Sequence, residues 1–467
     1  MSVAIENAAE WPLLRLKDVT VDVPSRDPSQ KPNTEITYVD ISSIDNRICE
    51  IVDPKRLLGR DAPSRARRPI EDGDVLFSNV RTYLRNVAQV MDLEPPAIAS
   101  TGFTLLRPVS GKLTSRYLYH LVRSDFFIAQ VSPQQTGSQY PATSDRAVRD
   151  NLVPVPPLYV QEALARLLDE LERQRRSVSL HLSSARLLVE RFRQAILVSA
   201  CSGVLTADWR EDRGTTVDDG VVSAARRRRV DELGKRFREP EPNAHRLHAD
   251  VPDKWRLVPL GLLLERLDYG TSQRSAYGVD GVPVIRIPNV STGRLDLSDM
   301  KYAALPAKER EDLSLGQSDL LMVRSNGSVE LLGRTARVTP DAVGMTFAGY
   351  LLRLRPDTSV LLPEYLSLVI ATPLVRAQIE LPARSTSGVH NINTDEVRGL
   401  LIPLPGLDEQ REIARAAEAL FALTEQSLRR IDAASSYCER SIQALLAKAF
   451  PAKLGEVRVS DQAEVSA

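Results

Sequence analysis

One long segment of the sequence occurs twice. The stretch that starts at Val153 as Val-Pro-Val-Pro-Pro-Leu-Tyr-Val-Gln returns at Ile402 as Ile-Pro-Leu-Pro-Gly-Leu-Asp-Glu-Gln, 249 positions later. The same offset carries Gln194 onto Gln443, so about fifty residues align without an insertion. Upstream, the offset starts at 244 (Trp11 to Trp255) and drifts to 249, as expected for loops of unequal length in a shared fold. The pattern predicts one unit used twice, a variable globular domain followed by a helix of fixed length.

The repeated segment has the pattern of a long helix. Between residues 160 and 202 there is no Pro or Gly, and nine of ten positions spaced alternately by four and three are apolar. These positions are Leu164, Leu168, Leu171, Arg175, Val178, Leu182, Ala185, Val189, Phe192 and Ile196. Forty-odd residues predict a rod roughly 60 Å long. Its apolar stripe needs a partner, and the second copy, with smaller residues from Ile413 to Leu445, is the nearest one. The alternative, in which each helix packs only on its own domain, would leave half of the rod exposed.

The globular segments read as mixed α/β. Short β-branched runs, such as 38–41 and 282–287, alternate with turns and with one helical stretch per copy, 115–131 and 363–379. We therefore predict an α+β protein in which a pair of long antiparallel coiled-coil helices separates two similar domains. The predicted boundaries are a first domain at 1–152, a first helix at 153–205, a linker with a basic helix at 206–254, a second domain at 255–401, a second helix at 402–450 and a flexible tail at 451–467.

Composition narrows the class of protein. The 467 residues include 61 Lys and Arg against 61 Asp and Glu, and each globular segment is neutral by itself, with 19 of each sign at 1–157 and 17 of each at 251–405. A generic basic nucleic-acid coat is thereby excluded, and binding to DNA through counterion release should be modest without basic surface from partner chains. The three cysteines are too far apart for a disulfide framework, and no signal peptide or membrane-length apolar run is present, so we expect a cytoplasmic protein without a membrane segment.

Catalytic and metal motifs are missing from the sequence. It has no phosphate-binding loop, no dinucleotide turn, no His-Glu-x-x-His and no Gly-x-Ser-x-Gly elbow. His245 and His248 lie three positions apart but have no third ligand nearby, so we expect no metal site. The run Arg226 to Arg229 is typical of a solvated helix face, with contact to DNA phosphate or to a partner subunit as the alternative. The chain is predicted to be non-catalytic.

Loops rich in Arg, Gln, Asn and Ser recur at matching places in the two domains. Arg can read guanine, Gln or Asn can read adenine, and Ser, Thr and backbone N–H groups suit phosphate. Polar surface turns are also common in proteins that bind no DNA, and repetition at equivalent places is what favours recognition. The candidate DNA-binding residues are Arg65, Arg67, Arg68, Arg81, Tyr83, Arg85, Gln134, Gln135, Thr136, Ser138, Gln139 and Tyr140 in the first domain, and Arg324, Ser325, Asn326, Arg384, Ser385, Thr386, Ser387, His390 and Asn391 in the second.

This architecture resembles the specificity subunit of type I restriction-modification systems. The resemblance covers essentially the whole chain and rests on Val153-Pro154-Val155-Pro156 with Gln161, on Ile402-Pro403-Leu404-Pro405 with Leu407 to Gln410 and Ile413, on Thr136 to Ser138, on Ser387-Gly388 and on Gly203 to Trp209. One departure is visible. The second helix opens with Asp408-Glu409-Gln410, whereas the first has Tyr159-Val160-Gln161.

The resemblance implies a DNA sequence-specificity subunit that reads a bipartite target with two recognition domains. It also implies helices that set the gap between half-sites and dock two modification (methyltransferase) subunits, with restriction (nuclease/translocase) subunits as further partners and double-stranded DNA as the ligand. No cofactor is expected in this chain, and S-adenosylmethionine is expected in the partner modification subunit. The residues implied at the helix starts, or in partner binding, are Pro154, Pro156, Gln161, Pro403, Pro405, Glu409 and Gln410. The two rival interpretations are a stand-alone DNA-processing enzyme with an unrecognised site and a repeat-built protein-interaction hub.

Overall fold

The chain forms two compact units. The structure, a computed structural model, describes residues 11–136, 141–213, 219–243, 251–383 and 390–450. One unit comprises Met1–Ser184 with Ile431–Ala467, and the other comprises Ala185–Arg430. Each unit therefore contains one globular domain and one half of each long helix. The predicted tail at 451–467 lies outside the described residues.

The first unit is built on two four-stranded sheets. Their strand orders are β6-β3-β10-β7 and β2-β11-β8-β9, and two-stranded pairs β1-β12 and β4-β5 complete the domain. The strands are β1 (Leu13–Arg15), β2 (Thr20–Val21), β3 (Glu35–Val39), β4 (Ile44–Asp45), β5 (Glu50–Ile51), β6 (Lys55–Leu58), β7 (Ala66–Ile70), β8 (Val75–Ser78), β9 (Val87–Gln89), β10 (Ala97–Ser100), β11 (Phe103–Pro108) and β12 (Leu152–Pro154). All four residues of β8 are buried, as an unbroken apolar run predicts for a strand covered on both faces.

The second unit repeats this plan. Its sheets have the orders β14-β21-β17-β19 and β16-β15-β20, with two-stranded pairs β13-β23 and β18-β22. The strands are β13 (Arg256–Pro259), β14 (Leu264–Tyr269), β15 (Val282–Ile285), β16 (Lys301–Ala303), β17 (Leu320–Val323), β18 (Ser325–Asn326), β19 (Thr335–Arg337), β20 (Thr346–Phe347), β21 (Leu351–Pro356), β22 (His390–Asn391) and β23 (Leu401–Leu404). The parallel pair β15 and β20 corresponds to the parallel pair β3 and β10. The internal repeat and the mixed α/β class are thus confirmed at the level of topology.

The one helical stretch predicted in each domain is two helices. In the first domain, Ser124 separates α1 (Ser115–Arg123) from α2 (Asp125–Val131): its hydroxyl accepts from the N–H of Phe127 at 3.3 Å and donates to the carbonyl of Leu121 at 2.6 Å. A residue that caps one helix from an extended backbone ends the preceding one. The second domain breaks before Pro373, which has no N–H to continue the ladder. The shorter helices after α2 are α3 (Asp145–Arg149), α5 (Ala207–Arg213), α6 (Asp219–Leu233), α7 (Ile287–Val290), α8 (Ala307–Asp312), α9 (Pro363–Ile370), α10 (Pro373–Ala383) and α11 (Thr394–Arg398).

The two repeated segments form the long helices α4 (Leu158–Cys201) and α12 (Leu407–Ala449). In the second unit, Ile196 and Cys201 of α4 share a buried cluster with Ile413 and Ala417 of α12. Because the end of α4 meets the start of α12, the helices are antiparallel, as predicted. In the described part of the chain, no helix is both long enough and apolar enough to cross a membrane.

Burial along the predicted seam of α4 is uneven. Leu164, Leu168 and Ile196 are buried, whereas Val178 is 43% exposed and Phe192 is 47% exposed. Half of the matching positions of α12 are Thr, Ser or Ala, which cover less apolar surface than Leu or Ile would. The seam is therefore closed near the ends of the helix and only partly closed between them.

The predicted linker at 206–254 contains more structure than expected. Its helix α6 (Asp219–Leu233) packs on the second domain through Ala225, which is buried in the core of that unit. The basic run pairs locally, since Arg226 bonds Glu239 at 2.8 Å and Arg228 bonds Asp357 at 2.7 Å. These arginines are held within the second unit rather than on a free basic face.

Candidate nucleic-acid interface

The polar loops of the first domain come together. The segment after β8 and the segment before α3, called here the first loop pair (residues 79–86, 134–136 and 141–143), form an antiparallel bridge between Val80 and Ala142. The N–H of Arg81 donates to the carbonyl of Pro141 at 2.8 Å. Two loops that are some fifty residues apart in sequence thus form one edge of the domain.

The second domain makes the same arrangement more regularly. The second loop pair (residues 324–328 and 390–391) contains the two-stranded ribbon β18-β22, in which Ser325 faces Asn391 and Asn326 faces His390. Four predicted residues are therefore neighbours in space. A two-stranded ribbon is one of the shapes that fit the DNA major groove.

One hydrogen bond is common to both loop pairs. In the first domain the N–H of Thr143 donates to the carbonyl of Asn79 at 2.8 Å, and in the second the N–H of Ile392 donates to the carbonyl of Arg324 at 2.8 Å. Asn79 directly follows β8 and Arg324 directly follows β17. The two surfaces are equivalent sites of the repeat, as the matching loops predicted.

A buried polar network fixes the first loop pair to the sheet. Asp145, the first residue of α3, accepts from the amide of Asn79 at 2.9 Å and from the hydroxyl of Thr104 at 3.0 Å, and it pairs with Arg68. Asn79 and Thr104 are buried. Through these bonds, Asp145 joins the predicted cluster at 65–68 to both predicted loops.

The arginines of the first domain carry their own counter-ions. Arg67 lies 3.2 Å from Asp27, and Arg85 pairs with Asp125. The hydroxyl and N–H of Ser29 hold the pKa of Asp27 below its ordinary value, so that carboxyl is charged at neutral pH. Arg65 is exposed. DNA binding by this domain would exchange internal ion pairs for phosphate or base contacts.

The turn between the two arginines of the first loop pair is strained. Arg81 and Arg85 have φ values of 49° and 53° and flank a 3₁₀ turn at Thr82–Leu84. A left-handed backbone is unfavourable for residues other than glycine and is commonest at functional loops. The turn leaves Tyr83 exposed, while Thr82 is buried with its hydroxyl 2.9 Å from that of Ser132.

The remaining predicted residues of the first loop pair are used within the fold. The side-chain amide of Gln134 donates to the carbonyl of Gln130 at 2.8 Å and to the side chain of Asn151 at 2.9 Å, and that of Gln135 donates to the carbonyl of Pro141 at 3.3 Å. Thr136 bonds Ala142 through its backbone. The predicted residues that lie outside the described part of the chain are Ser138, Gln139, Tyr140, Arg384, Ser385, Thr386 and Ser387.

Two tyrosines that sequence reasoning missed border the second loop pair. The guanidinium of Arg324 lies 4.7 Å from the ring centre of Tyr269, and the N–H of Arg324 donates to the carbonyl of Tyr350 at 3.0 Å. Tyr269 is 42% exposed and Tyr350 is 63% exposed. Both stand at strand ends, far from residue 324 in sequence, and an exposed aromatic at a strand end is the only signal that could have marked them.

The residues predicted at the helix starts lie inside each unit. Gln161 and Gln410 are fully buried, and each bonds backbone groups of its own domain. The carbonyls of Pro154, Pro156, Pro403 and Pro405 accept hydrogen bonds from Tyr117, Gln161, Tyr365 and Gln410 respectively. These residues join helix to domain.

Glu409 has a different role from an exposed first-turn acid. It is 1% exposed, and its carboxylate accepts from Thr206 at 2.9 Å, Arg210 at 2.8 Å and the indole of Trp255 at 3.1 Å. The first helix has Val160 at the equivalent place. The difference in sequence between the two helix starts therefore reflects a contact within the second unit. Glu409 accepts hydrogen bonds from residues that follow α4 in the chain, and Val160 could not accept them.

Among the described residues, no group of three or more His, Cys, Asp or Glu is arranged to hold a metal ion. The polar groups of both loop pairs are hydrogen-bond donors and acceptors of the kinds that contact bases and phosphates.

Comparison with known proteins agrees with this arrangement. No protein-family model matches the chain. It is 25% identical over 342 residues to the type I restriction enzyme StySPI specificity subunit of Salmonella potsdam, a match over 73% of this chain and 66% of that protein. It is 25% identical over 351 residues to the EcoKI specificity subunit of Escherichia coli, over 75% of this chain and 68% of that protein. The chain thus spans about two thirds of the length of these curated relatives.

Solved structures give the same answer. A chain from a type I R-M system, studied for complex assembly and conformational transition, has a TM-score of 0.70 and 27% identity, covering 94% of this chain and 97% of that chain. The HsdS subunit from Thermoanaerobacter tengcongensis has a TM-score of 0.59 and 27% identity, covering 94% and 96%. The fold is that of a twofold-repeated subunit with two α/β domains and two long helices. In sequence and in fold the chain is therefore similar to the specificity subunits of type I restriction enzymes.

Proposed function

We propose that the chain confers DNA sequence specificity on a type I restriction-modification complex by reading one half of a bipartite target with each domain. The observation that carries the proposal is the pair of equivalent surfaces, one in each domain. The first contains the hydrogen bond from Thr143 to Asn79, and the second contains the equivalent bond from Ile392 to Arg324. Equivalent placement with different side chains suits two half-sites of different sequence. Base-edge hydrogen bonding from such loops supplies the discrimination.

In this proposal the chemistry belongs to partner chains. The sequence lacks nucleophile, phosphate-loop and dinucleotide motifs, which agrees with methyl transfer from S-adenosylmethionine on two modification subunits and cleavage on restriction subunits. The neutral recognition domains support the same division, because counterion release from neutral domains gives little affinity and basic surface on the partners would add to it.

Helix α4 offers a surface for those partners. Leu180, Leu187 and Val198 are exposed and stand seven and eleven positions apart, close to two and three helical turns, so they lie on one face of the helix. Leu188 adjoins this face and is 63% exposed. We call these four residues the outer stripe. Exposed apolar patches of this kind mark protein interaction sites, and the modification subunits are the proposed occupants.

A domain replacement tests the proposal. Residues 11–152 would be exchanged for the first domain of another specificity subunit, and the chain would be expressed with its modification subunits in a strain without other methylation. Sequencing of methylated sites should show one half-site changed, and the other half-site and the spacer kept. The proposal is wrong if both half-sites change or if neither does.

A second experiment addresses the spacing. At ~1.5 Å per residue, the 44 residues of α4 are about 66 Å long. Matched deletion of one turn or two turns from α4 and α12 should change the spacer and leave both half-sites intact. An unaltered spacer in the methylated sites would exclude the helices as its determinant.

A further inference from the structure

Arg324 differs from three of the candidate arginines of the first domain in what balances its charge. Arg67, Arg68 and Arg85 each pair with an aspartate. Arg324 instead lies over the ring of Tyr269 at 4.7 Å, and its Nη1 donates to the carbonyl of Gly349 at 3.3 Å. Within the described ranges, no carboxylate lies at ion-pair distance from Arg324. Its positive charge is therefore not neutralised by any acid that the structure describes.

The backbone at Arg324 is held from both sides. Its N–H donates to Tyr350 and its carbonyl accepts from Ile392, at 3.0 and 2.8 Å. It lies between β17 (Leu320–Val323) and β18 (Ser325–Asn326), so neither neighbour in sequence is free to swing. The side chain is only partly buried. A fixed backbone, a stacked face and one bonded Nη together set the plane of the guanidinium.

The remaining donors of Arg324 are limited to one edge. The Nε atom is buried and has no hydrogen-bond partner among the described residues. Since a guanidinium carries two N–H groups on each terminal nitrogen, the unused N–H groups of Nη1 and Nη2 form the edge that is left for a ligand. Such a planar, oriented edge matches two acceptors side by side, which guanine presents in the major groove as O6 and N7.

We propose that Arg324 reads a guanine in the half-site of the second domain and that Tyr269 is the positioning residue that aims it. The inference rests on the proposed function and adds to it the base read and the residue that sets the geometry. Phosphate is the competing ligand for an arginine edge. The guanine is favoured because Asn326 and Asn391, whose amide side chains suit base edges, occupy the same ribbon.

The experiment uses the chain in complex with its modification subunits and a pool of DNA duplexes with both half-sites randomised, sequenced after selection for binding. The wild-type complex should enrich a bipartite site with a fixed G·C pair in the second half-site. Arg324→Ala should relax that one position, by on the order of 10- to 100-fold in enrichment, as expected for a lost bidentate contact. All other positions should keep their preferences.

Tyr269 variants separate positioning from packing. Tyr269→Leu, which keeps bulk but removes the π face, should relax the same G·C position by about 2- to 5-fold. Tyr269→Phe, which keeps the ring, should behave as wild type. Tyr277→Leu is the matched control, since Tyr277 is an exposed tyrosine of the same unit that stacks on Lys301 instead. Thermal unfolding of each complex checks that the variants are folded.

Each outcome has a defined meaning. If Arg324→Ala weakens all sequences equally and lowers the slope of log affinity against log salt by about 0.9, Arg324 contacts phosphate and the inference is wrong. If Arg324→Ala relaxes the G·C position but Tyr269→Leu does not, the role of Tyr269 is refuted. If the wild-type complex enriches no sequence at all, it is the proposed function that fails, and not only its refinement.

Discussion

Gln161 and Gln410, 249 positions apart in the sequence, make the same three hydrogen bonds. Gln161 accepts from the N–H of Thr114 at 2.9 Å and donates to the carbonyls of Lys112 and Pro156 at 2.9 and 2.8 Å. Gln410 accepts from the N–H of Leu362 and donates to the carbonyls of Val360 and Pro405, at 2.9, 2.9 and 3.0 Å. Each glutamine thus links the first turn of its long helix to the residues just before a domain helix, α1 or α9, and to the proline that follows β12 or β23.

Replacing either glutamine should loosen its domain from its helix. Gln161→Ala leaves three buried backbone groups without a partner, and we expect a loss of about 3 kcal/mol in the free energy of unfolding. Gln410→Ala should cost a similar amount. Urea unfolding followed by circular dichroism measures both. The control is Gln174→Ala in an exposed turn of α4, where the loss should stay below about 0.5 kcal/mol. Equal losses at Gln161 and Gln174 would contradict this account.

The repeat made the helices and the pairing of the loops predictable. A constant offset over about fifty residues allows no insertion, which is the property of a continuous helix, and the bounds of α4 agree with the predicted run. The loops at matching places in the two copies were expected to be equivalent, and they occupy equivalent positions in the two domains. Both inferences depend only on the order of segments along the chain, and an internal repeat makes that order visible in the sequence.

Side-chain roles were less predictable because they depend on distant partners. Glu409 was marked in the sequence only as part of a helix start, and the structure shows it buried and bonded to Thr206, Arg210 and Trp255. Tyr269 was not singled out in the sequence, and the structure shows it stacked on Arg324. In both cases the contact joins residues more than fifty positions apart. Local pattern does not encode such contacts, which follow only from the packed fold.

The stability of the first unit should depend on pH through His120. Burial lowers the pKa of His120 and outweighs the hydrogen bond to Asp169 and the charge of Glu172, which raise it, while Arg123 and Arg116 lower it further. The Nε2 atom lies 2.7 Å from the carboxylate of Asp169, and the buried Nδ1 has no hydrogen-bond partner among the described residues. A proton on Nδ1 would therefore be a buried donor without an acceptor.

The sign follows from proton binding. Below the ordinary histidine pKa of 6.5, His120 binds a proton in the unfolded chain more readily than in the folded chain. The contribution of neutral His120 to the free energy of unfolding is therefore complete above that pH and is lost as the pH falls below it. The loss should grow as the pH falls below 6.5 and should level off once the folded chain also binds the proton, so the measurement runs from about pH 7 to about pH 5. His120→Gln, which keeps a donor to Asp169 without titrating, should flatten the urea midpoint over that range. His181→Gln, in an exposed position, should leave the pH dependence unchanged.

The ion pairs of the first domain should restrain non-specific DNA binding. Asp125→Asn removes the carboxylate that pairs with Arg85 and so removes one negative charge beside that guanidinium. We expect tighter binding to random-sequence duplex and a slope of log affinity against log salt that is steeper by about 0.9. Fluorescence anisotropy at several salt concentrations measures both. Asp357→Asn frees Arg228, away from the loop pairs, and should leave the slope as it is. An unchanged slope for Asp125→Asn would show that Arg85 reaches no phosphate.

The outer stripe of α4 should be needed for assembly and dispensable for folding. Leu187 and Leu188 are 53% and 63% exposed, so a charge at either position costs the isolated chain little, within about 0.5 kcal/mol. In a complex the same charge would be buried without a counter-ion, a penalty of several kcal/mol. We therefore expect Leu187→Glu with Leu188→Glu to abolish co-purification with the modification subunits while the urea midpoint stays constant. Ser179→Glu, exposed on the same helix but about 100° round from Leu180 and so outside the stripe, should still assemble. Retention of the complex by the double variant would place the docking surface elsewhere.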